Sequence, residues 1–267
     1  MDLLFDPLFR LPFFAGLTAS VVVAIIGLYL RLRAEWLAAL GFAHLAGAGG
    51  VAGVLLGAPA LPAALAASAL AVLIKGLLRR SGNDVYAWLI LFGWAAMLIG
   101  ASLTHHAKIL GDALVDGQLY FASTAELWST LSIAAAATII LPLISRRLLR
   151  NELFPGHDQA NAKSLWPVTV GFDLLAAAAI AVTALVMGVM AAFAMVFIPA
   201  WIAFALAGGW RLAVLWSALL AAALYTAAYV TAMLADMPFA PVLVALAVAI
   251  APLRFLASLS PTNRKAA

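Results

Sequence analysis

Apolar residues run along this chain in long unbroken blocks, without the alternation of a half-buried strand or the polar face of a surface helix. Nine blocks can be traced: about Phe13 to Leu30, Trp36 to Leu56, Leu61 to Leu78, Val85 to Leu103, Leu127 to Ile144, Val168 to Met187, Val189 to Leu206, Leu212 to Leu234 and Ala240 to Leu256. Each approaches the roughly 20 residues a helix needs to cross a bilayer. In hydrocarbon a segment must satisfy its own backbone hydrogen bonds, so the pattern predicts an all-α, polytopic integral membrane protein with eight or nine transmembrane helices. Most breaks are turn-like: Arg31 to Glu35, Gly57 to Ala60, Ser81-Gly82-Asn83-Asp84 and Gly208-Gly209. The choice between eight and nine rests on Val186-Met187-Gly188-Val189, where a glycine permits either a turn or one long broken helix. Two connections are longer, His105 to Glu126 and residues 145–167, and long loops in a compact protein usually have a task.

Composition closes off the soluble classes. Of the 267 residues, 67% are hydrophobic and 10% charged, whereas soluble domains carry about a quarter charged residues. The spans use nearly all of the chain, so residues 1–267 read as a single transmembrane domain. Residues 1–12 mix Asp2, Asp6 and Arg10 with apolar side chains and lack the basic start and small-residue cleavage site of a signal peptide; they read as an amphipathic lead-in that stays attached. There are no cysteines, so any metal ligand must be nitrogen or oxygen.

The net charge of +4 is a topology signal. With the N-terminus outside, alternate connections place Arg31, Arg33, Lys75, Arg79, Arg80, Arg146, Arg147, Arg150, Lys163, Arg211, Arg254, Arg264 and Lys265 inside, and only Arg10 and Lys108 outside. That asymmetry predicts a multi-pass protein of the cell's inner (plasma) membrane with a cytoplasmic C-terminus. Small residues crowd Ala43 to Gly53 and Ala218 to Ala223, as on faces where helix backbones pack closely in lipid.

Few side chains inside the blocks can do chemistry. His44 lies roughly 12 Å into its span at 1.5 Å per residue; it is either a functional group or a histidine bonded to a neighbouring helix. Asp173 lies near the inner end of its span, where it is expected to reach interfacial water. The outer connection carries His105, His106, Lys108, Asp112 and Asp116, imidazoles and carboxylates of the kind that collect zinc, or a solvated loop. No HExxH, GxSxG, Walker A or dinucleotide fingerprint is present. The inner connection carries three arginines and then Phe154-Pro155-Gly156-His157-Asp158-Gln159-Ala160-Asn161-Ala162-Lys163-Ser164, a turn, an N-cap at Asp158 and a short helix.

In order and spacing these features resemble the membrane permease subunit of zinc/manganese-type ABC importers, over about Arg31 to Phe255. Arg33 to Gly49 is similar to a family segment with a basic residue, then Asp-Ala-Leu-Ser-His-Ala and Leu-Pro-Gly; His44 and Gly49 match. Gly117 to Leu127 resembles a Gly-Asp followed by a Thr-Pro-Glu helix start, and Ser123-Thr124-Ala125-Glu126 also reads as a capping box. Asp158-Gln159-Ala160-Asn161-Ala162 resembles the helix that docks on the ATPase. Ile198-Pro199-Ala200 and Asp236-Met237-Pro238-Phe239-Ala240-Pro241 resemble Ile-Pro-Ala-Ala-Thr-Ala and Asp-Thr-Pro-Ala-Gly-Pro.

The resemblance implies the compact helical arrangement of vitamin B12 and metal importers, a homodimer, a cytoplasmic ABC ATPase that binds ATP, and a periplasmic or surface solute-binding protein. It implies zinc or manganese as cargo, a substrate path at His44, Gln118 and Asp236, metal ligands among His44, His105, His106 and Asp112, and ATPase coupling through Asp158, Ala160, Ala162 and Ser164. The departures are Leu40 and Gln118 where the family has aspartates, and Ile202 and Phe204 where it has threonine and arginine. They open a second transport reading, an uncharged or chelated cargo. An intramembrane metal-dependent enzyme and an anchoring subunit are the other classes; the first lacks a nucleophile paired with a base, and the second would not stimulate a partner ATPase.

Overall fold

The computed structural model describes residues 7–78, 83–117, 119–154, 161 and 164–258. Every regular element among them is helical: α1 (Pro7–Leu32), α2 (Ala38–Leu55), α3 (Ala60–Leu78), α4 (Asn83–Ala101), α5 (His105–Asp116), a 3-10 turn (Leu119–Phe121), α6 (Thr124–Leu153), α7 (Trp166–Met187), α8 (Val189–Leu206), α9 (Trp210–Ala235), α10 (Phe239–Ile250) and α11 (Leu253–Ser258). Seven of these helices are long and apolar enough to cross a membrane, and Ala60–Gly76 and Phe239–Phe255 add two shorter apolar stretches. All nine expected blocks are therefore helical.

α1 and α2 are packed on several sides by the other helices, and α4, α6 and α9 present large apolar side chains outward. One end of the bundle is aromatic. There Tyr225 and Tyr229 donate hydrogen bonds to the carbonyls of Pro12 and Phe9, and Phe13 packs on both tyrosine rings at 5.7 and 5.2 Å. This cluster holds α1 helical from Pro7, several residues before the apolar block begins. At the other end Tyr29 meets Phe172 at the start of α7 and Trp210 just beyond α8, with ring centroids 5.6 and 4.8 Å away. Since the start of α7 and the end of α8 sit at the same end of α1, the two helices are antiparallel. The break between them is a tight turn at Gly188 (φ 91°). A Cβ there would lie 3.0 Å from the Cα of Gly117, so both the backbone angle and the crossing demand glycine.

Both long connections are more helical than the sequence suggests. The first contains α5, started by Thr104, whose hydroxyl accepts from the Ala107 N–H at 3.2 Å, and ended by Gly117 at φ 75°. The capping box at Ser123 and Glu126 forms as expected and starts α6. In the second, α6 runs on to Leu153, because Arg146 to Leu153 is a run of good helix formers with Leu148 buried beneath it. The expected loop of 145–167 is thus shortened to the stretch between Leu153 and Trp166.

The basic end is held by a closed ring of four charges. Arg33 bonds Glu35 at 2.8 Å and Asp173 at 2.7 Å; Lys75 bonds the same two carboxylates at 2.8 and 2.7 Å. All four side chains are at most 8% exposed. Tyr86 of α4 donates to Glu35 Oε2 at 3.2 Å. Asp173 therefore does not reach interfacial water: it is 2% exposed and both its oxygens are engaged. Burial works to lower the Arg33 pKa, and Asp173 and Glu35 more than offset it, leaving the group above its ordinary value and firmly charged.

Local backbone chemistry brings Arg33 and Glu35 to one side. α1 ends in a Schellman motif: the Glu35 N–H reaches the Leu30 carbonyl at 2.9 Å and the Ala34 N–H reaches Arg31 at 3.0 Å. The residue between, Ala34, takes the left-handed conformation at φ 54°, one that a residue with a Cβ adopts at a cost of about 1–2 kcal/mol. With the chain reversed there, side chains two residues apart both enter the ring.

Removing one member strands a buried charge. Lys75→Met should cost about 3–5 kcal/mol, read as a lowered unfolding midpoint of the purified protein in detergent. The pair Lys75→Met with Asp173→Asn, which restores neutrality and leaves Arg33 with Glu35, should recover most of that loss. A double variant no more stable than the single would show that the ring is not the source.

Candidate functional site

His44 sits in the middle of α2 at 7% exposure. Its Nδ1 lies 2.9 Å from the carbonyl oxygen of Leu40, one turn earlier. A carbonyl only accepts, so the proton is on Nδ1 and the lone pair on Nε2, the arrangement of an imidazole able to ligate a metal or accept a hydrogen bond. The residue expected to be a carboxylate is Leu40, and its backbone oxygen orients the ring instead.

α2 can carry His44 this deep because α4 crosses it at a glycine. A Cβ on Gly93 would stand 2.7 Å from the His44 carbonyl carbon and 2.9 Å from the Leu45 nitrogen, distances at which the backbones must part. The run of small residues in α2 is thus a packing face, as the sequence implies.

The other candidates are dispersed. His105 and His106 open α5 and are both exposed, their rings edge-on with centroids 6.2 Å apart. Asp112 is exposed on the same helix, seven residues beyond His105 or about 10 Å along the axis. Among the described residues no three His, Asp or Glu side chains come together as a metal site. Asp236 is exposed, ends α9 and adopts φ 52°, a left-handed angle that aspartate tolerates better than most residues. Gln118, Asp158, Ala160 and Ala162 lie outside the described residues. Ser164 is exposed at the approach to α7; its hydroxyl accepts from the Trp166 N–H at 3.3 Å and its carbonyl accepts from Arg147 at 3.2 Å.

Glu35 and Tyr86 are the ring members that motif reading passed over. Glu35 stands within a turn, and apart from Arg33 its partners Lys75 and Tyr86 lie 40 and 51 residues away in sequence, so only the positive-inside count touched the cations around it.

Gly93→Val should part α2 from α4 and cost about 1–3 kcal/mol of stability, measured by thermal unfolding, with Gly93→Ala intermediate. A valine variant as stable as the parent would contradict this crossing.

The fold matches two solved structures over nearly all of the chain. The structure described as PsaBC from Streptococcus pneumoniae in complex with Fab matches with a TM-score of 0.84 at 16% identity, covering 98% of this chain and 96% of that one. A metal-chelate type ABC transporter in an inward-facing conformation matches with a TM-score of 0.73 at 15% identity, covering 92% and 84%. At such identities the likeness shows the fold. No curated protein matches the chain by sequence. The model of the ABC 3 transport family matches residues 6–258. With nearly every residue inside that match, and a bundle of membrane-length helices as its fold, the chain belongs to the ABC 3 transport family, as the membrane subunit of a transporter and not an enzyme.

Proposed function

We propose that this protein is the permease of an importer that moves a divalent transition metal of the zinc or manganese class, bare or as a complex, into the cytoplasm. Two copies form the path, a separate ATPase supplies the energy, and a solute-binding protein delivers the cargo. The arginine-rich end faces the cytoplasm, which puts the N-terminus outside and the C-terminus inside. The stretch between Leu153 and Trp166, with Asp158, Ala160, Ala162 and Ser164, meets the ATPase. The observation that carries this reading is His44: a single imidazole fixed by Leu40 O with Nε2 as its lone-pair nitrogen, inside a family fold built for transport.

A specific observation favours the complexed cargo. Both carboxylates buried in the bundle, Glu35 and Asp173, are neutralised by Arg33 and Lys75, and Leu40 adds no charge beside His44. A bare ion wants several carboxylate and imidazole ligands, whereas a complex brings its own. His44 then serves as a hydrogen-bonding or transient ligand group, and Asp236 and Gln118 line the outer approach.

The test is vesicle uptake with the ATPase and binding protein that co-purify from native membranes, supplied with zinc, manganese or their small-molecule chelates. One of these should stimulate ATP hydrolysis and enter the vesicle. His44→Ala should lower uptake about tenfold, the scale of one interaction of about 1.4 kcal/mol, with the assembly intact. Leu40→Asp should improve bare-ion uptake only if the path handles bare ions; a chelate transporter should lose rate. If no ATPase accompanies the chain and no metal species stimulates hydrolysis, the importer reading fails.

A further inference from the structure

We propose that a slot between α1, α6 and α9 holds one acyl chain of a membrane phospholipid. α6 and α9 both pack against α1, and beside those contacts the three helices leave a cavity of about 560 Å³. On α1 its lining runs from Leu17 to Tyr29 and on α6 from Ala134 to Ser145, with Val214 of α9 as the third wall. Ala134 and Ala137 are too short to fill the space, which is why α6 leaves it open. At 1.5 Å per residue each stripe is about 17 Å long, so the cavity is a slot along the helix axes with a mean cross-section of about 30 Å². A helix about 10 Å across needs more than twice that section. Neither a helix of a second copy nor one of another subunit fits inside, and a single flexible chain does. Three of the four hydroxyls in the lining are engaged within the protein: Tyr29 donates to Ser145 Oγ at 3.0 Å, and Thr138 donates to the Ala134 carbonyl at 2.8 Å. An apolar cavity with its polar groups so engaged offers little to water.

The position of the slot identifies that chain as a lipid's. Its lining lies inside three membrane-length helices, so what reaches it from the side is hydrocarbon. The flanking helices meet the same hydrocarbon: Ile139 and Leu143 of α6 and Leu215 and Leu219 of α9 are all more than half exposed. In length the slot matches one leaflet, about half of the roughly 30 Å hydrocarbon core. It ends at Tyr29, one turn before Arg33, and at Ser145, so the lipid belongs to the leaflet at the basic end. Among the described residues no charged side chain lines the slot, and the two hydroxyls at its end bond each other. A free fatty acid would find no partner there for its carboxylate, whereas a phospholipid keeps its headgroup outside, at the interface. Walls on three sides give the chain many close contacts with fixed side chains, which an open face such as that of Leu91 and Ile99 on α4 does not. The site follows from the fold and depends neither on the cargo nor on the direction of transport.

The test is photolabelling of the purified protein, with whatever subunits accompany it, in phosphatidylethanolamine and phosphatidylglycerol vesicles. The probe is a trace of phosphatidylcholine carrying a diazirine near the middle of one acyl chain, and adducts are located by peptide mass spectrometry. The expected result is labelling of Val21 and Ile25, on the floor of the slot, about tenfold above that of Leu91 and Ile99 on the open face of α4. Ala134→Phe fills the slot and should lower the labelling of Val21 and Ile25 about tenfold. Ala135→Phe, which lies on the exposed side of α6, should leave it unchanged. Should Ala134→Phe fail to fold, Val214→Phe fills the slot from the opposite wall and should act in the same way. Labelling spread evenly over the slot and α4, or labelling of the floor that persists in a folded, filled variant, would overturn the proposal. So would displacement of the probe by an equimolar amount of free palmitate, or a floor left unlabelled because a protein subunit covers it, seen as a complex that Ala134→Phe dissociates.

Discussion

Four charges withdrawn from water together set the basic end of this bundle. An isolated ammonium or carboxylate in that position would cost several kcal/mol, and the ring makes each acceptable by giving every cation two anions and every anion two cations at 2.7–2.8 Å. Its members come from the turn between α1 and α2, from α3 and from α7, with Tyr86 of α4 as a fifth contact. Apolar packing between helices in lipid is non-directional and tolerates sliding; the ring does not. It fixes the height of four elements relative to one another, and with them the depth at which α2 presents His44.

The same ring divides the labour of the charged residues. Positive charge collects at one end of the bundle, but Arg33 and Lys75 are buried against Glu35 and Asp173, whereas Arg146 is exposed on α6. A count of lysines and arginines treats both groups alike. Structurally the first group is interior and sets helix positions, and the second lies at the protein surface. The aromatic end is built differently, from tyrosine hydroxyls bonded to α1 carbonyls and rings packed edge to face.

How much of this was legible follows from the range of each interaction. The nine apolar helical blocks could be read from composition because hydrocarbon demands long apolar runs and little else. The capping box at Ser123 and Glu126 could be read because it closes within one turn. The family resemblance placed His44 in a packed helix, and the family match over residues 6–258 bears out the membership. Asp173 was misjudged because its partners come from other helices, and because the turn that turns Glu35 inward depends on a left-handed alanine, a residue type that does not advertise such a conformation. The outer connection was read as a loop because its polar residues suggest solvent; Thr104 caps a helix there, with Ala107, Gly111 and Leu114 inward and the histidines outward. Gln118 and most of the inner docking segment lie outside the described residues, so sequence alone speaks for them.

Leu40, where the family resemblance leads one to expect a carboxylate, changes what His44 can be through the basicity of its Nε2. An imidazole whose Nδ1–H points at a carboxylate gains basicity at Nε2 and becomes a stronger ligand. Here Nδ1–H points at a backbone carbonyl that already takes part in the helix ladder and carries no charge, so Nε2 is a weaker and softer-binding nitrogen. On the proposed path such weakness is useful, because binding has to be firm enough to admit a cargo and loose enough to pass it on. Burial strengthens the consequence, because in a poorly hydrated helix interior a lone neutral imidazole carries little desolvation cost, whereas an aspartate beside it would need a cation present at all times. With Glu35 and Asp173 paired to Arg33 and Lys75 and Leu40 apolar, the buried carboxylates among the described residues are neutralised, which is the physical ground for proposing a cargo whose own charge is already balanced.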